Sequence, residues 1–137
     1  MSDRRHAVFR TVADCATESW SSPSRGSVTW WELFGGDVTA TEEITAGIAE
    51  IPVGSDSPPR GHHHDAAEMY FVVAGRGEVV VDGQPTPVGV GSAVWIPADV
   101  EHFARNTGDE TLRLLYVFGR DKFSDVHYTF PGEASGD

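Results

Sequence analysis

The sequence contains little cysteine and no long apolar run. Its one cysteine, Cys15, has no second cysteine with which to form a disulfide in the chain, which agrees with a reducing compartment. No stretch approaches the ~20 apolar residues of a membrane-spanning helix. Residues 1–15 include basic residues but lack the apolar segment of a secretory signal peptide. We therefore expect a soluble, cytoplasmic protein with no membrane partner.

Positive charge is also scarce. The chain has 10 Lys and Arg against 21 Asp and Glu, which gives a net charge of −11. Proteins that bind nucleic acid meet its phosphates with clustered Lys and Arg, and anionic lipid headgroups attract basic segments. The balance weighs against both kinds of partner.

Helical periodicity is nearly absent, and only residues 13–20 are predicted as a short helical turn. Short segments rich in Val, Ile, Thr and aromatic residues recur instead, separated by Gly, Pro, Asn and Asp. The predicted strands lie at 27–34, 43–51, 68–75, 77–83, 92–97, 101–106, 111–119 and 125–130. Asp82-Gly83 predicts a tight hairpin turn, and residues 106–110 a second turn. The pattern is typical of an all-β antiparallel sandwich or barrel.

The length of 137 residues indicates one domain, large enough to fold without disulfides. We place the core of the barrel at about residues 27–130 and expect flexible ends at 1–6 and 131–137.

Three consecutive histidines lie in the middle of the chain, in the stretch GHHHDAAE. In an extended strand His62 and His64 point to one side and His63 to the other, and Glu68 has the parity of His62 and His64. A second segment brings His102 after a proline-bounded turn. Three imidazoles and one carboxylate suit a divalent Fe, Mn, Ni, Co or Zn ion. The alternative is a solvated loop without a ligand.

The two segments resemble the paired motifs of the cupin superfamily. The motifs read His62-x-His64-x3-Glu68-x6-Gly75 and Gly91-x5-Pro97-x-Asp99-x2-His102-x3-Asn106. The resemblance implies a small single-domain cupin with an antiparallel jelly-roll β-barrel fold. It also implies one metal ion held by His62, His64, Glu68 and His102. Asp56 and Asp99 stand where the family usually has turn glycines, and aspartate tolerates left-handed backbone angles better than most residues.

Several other side chains are candidates for the site. Tyr70 follows Glu68 by two residues and is predicted to act as an acid, a base or a hydrogen-bond donor, although it is equally suited to fill the barrel. The predicted pocket residues are Trp95, Phe103, Tyr128 and Arg60. Of the adjacent Trp30 and Trp31, a strand turns one outward, and an outward tryptophan suggests the homodimer that many cupins form.

Four intact ligand positions favour a metal-dependent enzyme acting on a small organic molecule by dioxygenase, isomerase or lyase chemistry. Fold does not select the reaction. One alternative comes from the small cupin lyases that cleave dimethylsulfoniopropionate, which resemble this chain in length and in the H-x-H-x3-E-x-Y arrangement. The other alternative is a non-catalytic cupin that binds a small ligand or acts as a sensory module.

Overall fold

The computed structural model describes residues 6–55 and 57–133, and in these ranges the regular structure is strands and two short 3₁₀ helices. The strands are β1 Glu18–Ser22, β2 Gly26–Phe34, β3 Thr45–Ile51, β4 His63–His64, β5 Glu68–Ala74, β6 Arg76–Val81, β7 Gln84–Gly89, β8 Ala93–Ile96, β9 His102–Asn106, β10 Leu112–Phe118 and β11 Tyr128–Thr129. The 3₁₀ helices are Val12–Asp14 and Phe123–Asp125. Across the described ranges, no helix has the length and apolar character needed to cross a membrane.

The strands form antiparallel sheets that face each other. The larger sheet has six strands in the order β1-β2-β3-β10-β5-β8, and a three-stranded sheet has the order β7-β6-β9. Strand β11 pairs with β4. The backbones of His62 and His102 exchange two hydrogen bonds of 3.0 and 2.8 Å, and this bridge joins the β4 segment to β9. The arrangement is a jelly roll, and the predicted all-β antiparallel fold is confirmed.

The core lies between the two sheets and follows the alternation of each strand. On β10 the side chains of Leu112, Leu114, Tyr116 and Phe118 are buried, while the residues between them are half-buried. Val79 of β6 meets this layer from the opposite sheet. Burial of such side chains stabilises the fold by roughly 1.5–3 kcal/mol each. The predicted alternation of inward and outward residues therefore sets which side chains reach the interior.

The sequence prediction is wrong for residues 13–20. Only Val12–Asp14 form a helical turn, and the segment continues as strand β1. The reason is antiparallel hairpin pairing with β2, from Glu18 opposite Trp30 to Ser22 opposite Gly26, which overrides the propensity of the single segment. Strand β1 thus joins the sheet ahead of residue 27.

Strand β7 was also missed because it contains Pro85 and Pro87. Proline removes a backbone donor, but an edge strand tolerates it, and β7 lies at the edge of its sheet. The segment predicted as a strand at 125–130 forms one only at Tyr128–Thr129.

The predicted hairpin turn is confirmed. Asp82 and Gly83 have φ angles of 48° and 78° and connect β6 to β7. Asp56 lies outside the described residues, as do most of the ends predicted to be flexible.

Candidate metal centre

Four side chains from separate parts of the fold meet between the sheets. His64 lies on β4, Glu68 begins β5, His102 begins β9, and His62 precedes β4. One nitrogen or oxygen atom from each of these residues lies within 4.8 Å of the others. His64, Glu68 and His102 are almost completely buried, and His62 is partly buried. The four predicted ligand residues are therefore brought together.

Backbone carbonyls orient two of the rings. Nδ1–H of His64 donates to the carbonyl oxygen of Ala66 at 2.8 Å, and Nδ1–H of His102 donates to that of Val100 at 2.8 Å. A carbonyl only accepts, so in each neutral ring the lone pair is left on Nε2. Such bonds are the usual partners of metal-binding histidines because they fix the tautomer and the ring orientation.

Both Nε2 atoms face the same carboxylate oxygen. Oε1 of Glu68 lies 3.0 Å from Nε2 of His64 and 3.2 Å from Nε2 of His102. With neutral rings, each of these contacts brings two hydrogen-bond acceptors together, which is unfavourable. A buried carboxylate is also unfavourable unless an opposite charge lies beside it. A cation among these atoms removes both penalties. The donor set fits a divalent metal ion.

His62 completes the cluster in a form that suits coordination. Burial lowers the pKa of His62 well below its usual value, and the nearby His102 and His64 lower it further. The ring is therefore neutral at pH 7 and has a lone pair available. Its backbone bridge to His102 holds the two residues side by side.

The turn before His102 is tied to the first motif. Asp99 adopts a φ of 65°, in the left-handed region for which a glycine is usual. Its N–H donates to the carbonyl oxygen of His64 at 2.7 Å. Aspartate therefore adopts here the left-handed angle at which the family usually has glycine.

A cavity of about 90 Å³ adjoins the cluster. His62 and Glu68 form part of its wall, and aromatic side chains form another large part. The aromatic lining residues are Trp20, Trp30, Tyr70, Phe103, Tyr116, Phe123 and Tyr128. The site thus combines a cluster of metal-binding donors with apolar walls that limit access of water.

Tyr70 and Tyr128 are the phenols beside the cluster. Burial raises the pKa of Tyr70 well above its usual value, and the charge on Glu68 raises it further. Burial and Glu68 act in the same way on the pKa of Tyr128, whose ring centre lies 5.2 Å from that of His62. Both phenols are protonated at neutral pH in the absence of a cation and can donate hydrogen bonds.

The predicted pocket residues divide into two groups. Phe103 and Tyr128 line the cavity. Trp95 does not, because it points to the outer side of β8 and is 70% exposed. Arg60 is also absent from the lining and pairs with Glu101, with Nη2 and Oε1 2.6 Å apart. These positions correct the expectation for Trp95 and Arg60. His63, expected to point away from His62 and His64, is half-buried and is not one of the four clustered residues.

Sequence reasoning missed two residues that line the cavity, Trp20 and Arg25. The ring centre of Trp20 on β1 lies 6.4 Å from that of His62, and the guanidinium of Arg25 lies 3.9 Å from the ring centre of Phe130. Arg25 also forms an ion pair with Glu133, with Nε and Oε2 2.5 Å apart. The signal for Trp20 was available only if residues 18–22 were recognised as a strand.

Known proteins resemble this chain in sequence and in fold. Dimethylsulfoniopropionate lyase DddW of Ruegeria pomeroyi is 35% identical over 83% of this chain and 73% of its own length. Protein SchB of Streptomyces halstedii is 36% identical over 62% of this chain and 67% of its own length. The crystal structure of a predicted oxalate decarboxylase from Thermotoga maritima superposes with a TM-score of 0.69 at 21% identity, covering 82% of this chain and 99% of that one.

A family comparison agrees with these likenesses. Residues 47–118, more than half of the chain, match the cupin domain family, and the match contains all four clustered residues. With the jelly-roll fold and the His/Glu cluster described above, this establishes that the chain belongs to the cupin family.

Proposed function

We propose that this chain is a metal-dependent enzyme that acts on a small organic acid in the cavity beside the cluster. The observation that carries the proposal is the buried set of His62, His64, Glu68 and His102, in which Nε2 lone pairs face a carboxylate oxygen. These four side chains would hold one divalent Fe, Mn, Ni, Co or Zn ion.

The size of the cavity restricts the substrate. Pockets for drug-sized ligands have volumes of roughly 300–1,000 Å³. The cavity here measures about 90 Å³, so it suits an acid with few non-hydrogen atoms. Its aromatic walls suit an apolar or cationic end of the molecule, because a cation is attracted to the face of an aromatic ring.

We further propose β-elimination from dimethylsulfoniopropionate as the reaction. The support is the 35% identity to the Ruegeria lyase over most of both chains, together with Tyr70 and the aromatic cavity. A bound divalent ion supplies a Lewis acid for the substrate carboxylate. The aromatic walls orient the sulfonium group and exclude water.

Tyr70 is the residue that we assign to proton transfer, with Tyr128 as the second candidate. A divalent cation held by the cluster would offset the charge on Glu68 and favour loss of the Tyr70 phenol proton to solvent, and the phenolate oxygen would then take the proton from the carbon next to the carboxylate. The electron pair of that C–H bond forms the carbon–carbon double bond, and the carbon–sulfur bond breaks with its pair on sulfur. The products are dimethyl sulfide and acrylate, and the proton stays on the tyrosine until it is released to solvent.

The test is product release by purified protein loaded separately with Fe, Mn, Ni, Co or Zn. We expect dimethyl sulfide by gas chromatography and an equal amount of acrylate by NMR with at least one metal. His64→Ala should abolish both, whereas His63→Ala, at the neighbouring position outside the cluster, should retain them. The absence of dimethyl sulfide with every metal would overturn the lyase assignment.

The wider proposal has its own test. If dimethyl sulfide is absent, the metal-loaded protein is screened with small carboxylic acids for oxygen uptake and for isomerised or decarboxylated products. Turnover that requires His102 would retain the enzyme and change its reaction. Tight binding of a small acid by calorimetry with no turnover would instead identify a non-catalytic cupin.

A further inference from the structure

Arg25 contributes a positive charge to the wall of the cavity beside the cluster. It lies in the turn between β1 and β2, where its backbone N–H donates to Oγ of Ser22 at 3.1 Å. Its guanidinium carbon lies 3.9 Å from the ring centre of Phe130 and 5.4 Å from that of Trp20. The ring centre of Phe130 is in turn 5.7 Å from that of His62. The cation therefore rests on an aromatic surface that extends to the candidate metal centre.

Glu133, which lies 108 residues after Arg25 in the chain, neutralises this charge. Nε–H of Arg25 donates to Oε2 of Glu133 at 2.5 Å, and Nη2–H donates to Oε1 at 3.3 Å. Oγ–H of Ser24 donates to the same Oε2 at 3.1 Å. Both carboxylate oxygens thus meet the edge of the guanidinium, while its flat face lies on the ring of Phe130. A bidentate edge contact and a stacked face together fix the orientation of an arginine.

Arg105 is the other arginine among the described residues that line the cavity. Its Nη2 lies 2.6 Å from Oε1 of Glu78, the residue opposite it on β6. Neither Glu78 nor Glu133 is part of the described lining. Each arginine of the wall is therefore neutralised by a carboxylate that takes no space in the cavity. Glu78 is held by strand register, whereas Glu133 comes from the segment after β11.

We propose that Glu133, acting through Arg25, makes the cavity selective for a small acid whose far end carries a positive charge. The inference rests on the proposed function, in which the acid group faces the cluster and the aromatic walls receive the other end. With Glu133 in place the Arg25 pair has no net charge, so a cation is attracted to the ring faces without repulsion. Without Glu133 the guanidinium would repel that cation and compete with it for the same rings.

The exposure of the pair sets the size of the expected effect. The side chains of Arg25 and Glu133 are 34% and 35% exposed, so water screens part of the charge. An unpaired charge several ångströms from a bound cation, across such a partly solvated gap, should change the dissociation constant about tenfold. Specificity is a difference between two affinities, so it is measured with two ligands that differ in charge alone.

The test is calorimetric titration of the zinc-loaded protein at neutral pH with two acids of the same shape. N,N-dimethyl-β-alanine carries a protonated nitrogen where 4-methylpentanoate has a carbon, and both share the propionate frame of dimethylsulfoniopropionate. Neither contains sulfur, so binding is measured without release of dimethyl sulfide. We expect the wild-type protein to bind the cationic acid more tightly. Glu133→Gln should shift the ratio of the two dissociation constants about tenfold toward the neutral acid.

Arg25→Gln shows whether the effect passes through Arg25. This variant leaves the Glu133 carboxylate unpaired, so the ratio should shift the other way, toward the cationic acid. In the double variant neither charge remains, and the ratio should return close to the wild-type value. A purely structural role would weaken both acids alike and would give neither the opposite signs nor the restoration. Circular dichroism and zinc content establish that each variant is folded.

Glu50→Gln is the matched control, because Glu50 and Arg113 form a pair of similar exposure outside the described lining. It should leave the ratio unchanged. An unchanged ratio in Glu133→Gln, a shift that persists in the double variant, or binding of neither acid by the wild-type protein would overturn the inference. Dimethyl sulfide release with an unchanged ratio would overturn the inference and leave the lyase proposal in place. A shifted ratio without dimethyl sulfide would retain the inference and reject the lyase.

Discussion

Nε2 of His64 lies 3.0 Å from Oε1 of Glu68, while Nδ1–H of the same ring donates to the carbonyl oxygen of Ala66. With a neutral ring, two buried acceptors thus face each other. Because these acceptors are ready to coordinate a cation, purified protein should contain one transition-metal ion per chain by elemental analysis. Glu68→Gln and His64→Ala should remove it.

His63→Ala is the control for that measurement. His63 is adjacent in sequence to both motif histidines but lies outside the cluster, so the variant should keep its metal. Equal metal contents in His63→Ala and His64→Ala would contradict binding at the cluster. They would show that a histidine outside the cluster matters as much as one inside it.

Removal of the metal should destabilise the protein. A ligand present at a hundred times its dissociation constant stabilises the folded state by about 2.7 kcal/mol. For a chain of this size that corresponds to a decrease of roughly 5–15 °C in melting temperature after treatment with a chelator. Differential scanning fluorimetry measures the change, with Glu68→Gln as the comparison. A chelator effect of equal size in Glu68→Gln would count against binding at this cluster.

Gly47 should not tolerate alanine. It lies opposite Tyr116, and an added Cβ would overlap both the Tyr116 hydroxyl and the carbonyl oxygen of Trp31. The backbone carbonyl cannot move aside cheaply, so Gly47→Ala should lose about 1–3 kcal/mol of unfolding free energy in urea. Gly89→Ala is the control, because Gly89 also lies in a strand and has open space at its Cβ position. A similar loss in both variants would contradict a steric cause.

The Tyr116 hydroxyl is buried and has no hydrogen-bond partner among the described residues. An unsatisfied buried polar group costs about 1–3 kcal/mol, and its removal relieves that penalty. Tyr116→Phe should therefore match or exceed the wild-type unfolding free energy in urea. A loss above about 1 kcal/mol would indicate that the hydroxyl forms a stabilising hydrogen bond in solution.

Glu32 should make stability fall as pH rises. Burial raises the pKa of Glu32 above its usual 4.5, and the charges on Asp37 and Glu18 raise it further. The folded protein then holds the Glu32 proton more tightly than the unfolded chain, so stability declines with pH between the unfolded and the folded pKa values. Above that window the full penalty of the ionised carboxylate remains.

Glu32→Gln removes this penalty. We expect the difference in melting temperature between Glu32→Gln and wild type to be larger at pH 7 than at pH 4. Glu50→Gln, in the partly exposed pair with Arg113, should not show this increase. A Glu32→Gln difference that does not change with pH would show that the carboxylate is not the cause.

The sequence by itself determined the fold class and the composition of the candidate site. Strand alternation is local, so residues such as Leu112 and Leu114 could be assigned to one face without knowledge of their partners. The spacing of His62 and His64 indicated their common direction for the same reason, whereas Glu68 reaches the cluster from the separate strand β5. The His102 motif then matched the first motif in a known family pattern, and the structure brings these residues together.

Tertiary structure decided what depends on the pairing of one strand with another. Residues 18–22 form a strand because β2 pairs with them, and this pairing places Trp20 over the cavity. Trp95 faces outward because Glu68 pairs with Ile96, which directs the odd-numbered residues of β8 away from the core. Register between strands depends on the free energy of the whole sheet. A local sequence pattern does not identify the partner strand, so it cannot give the register.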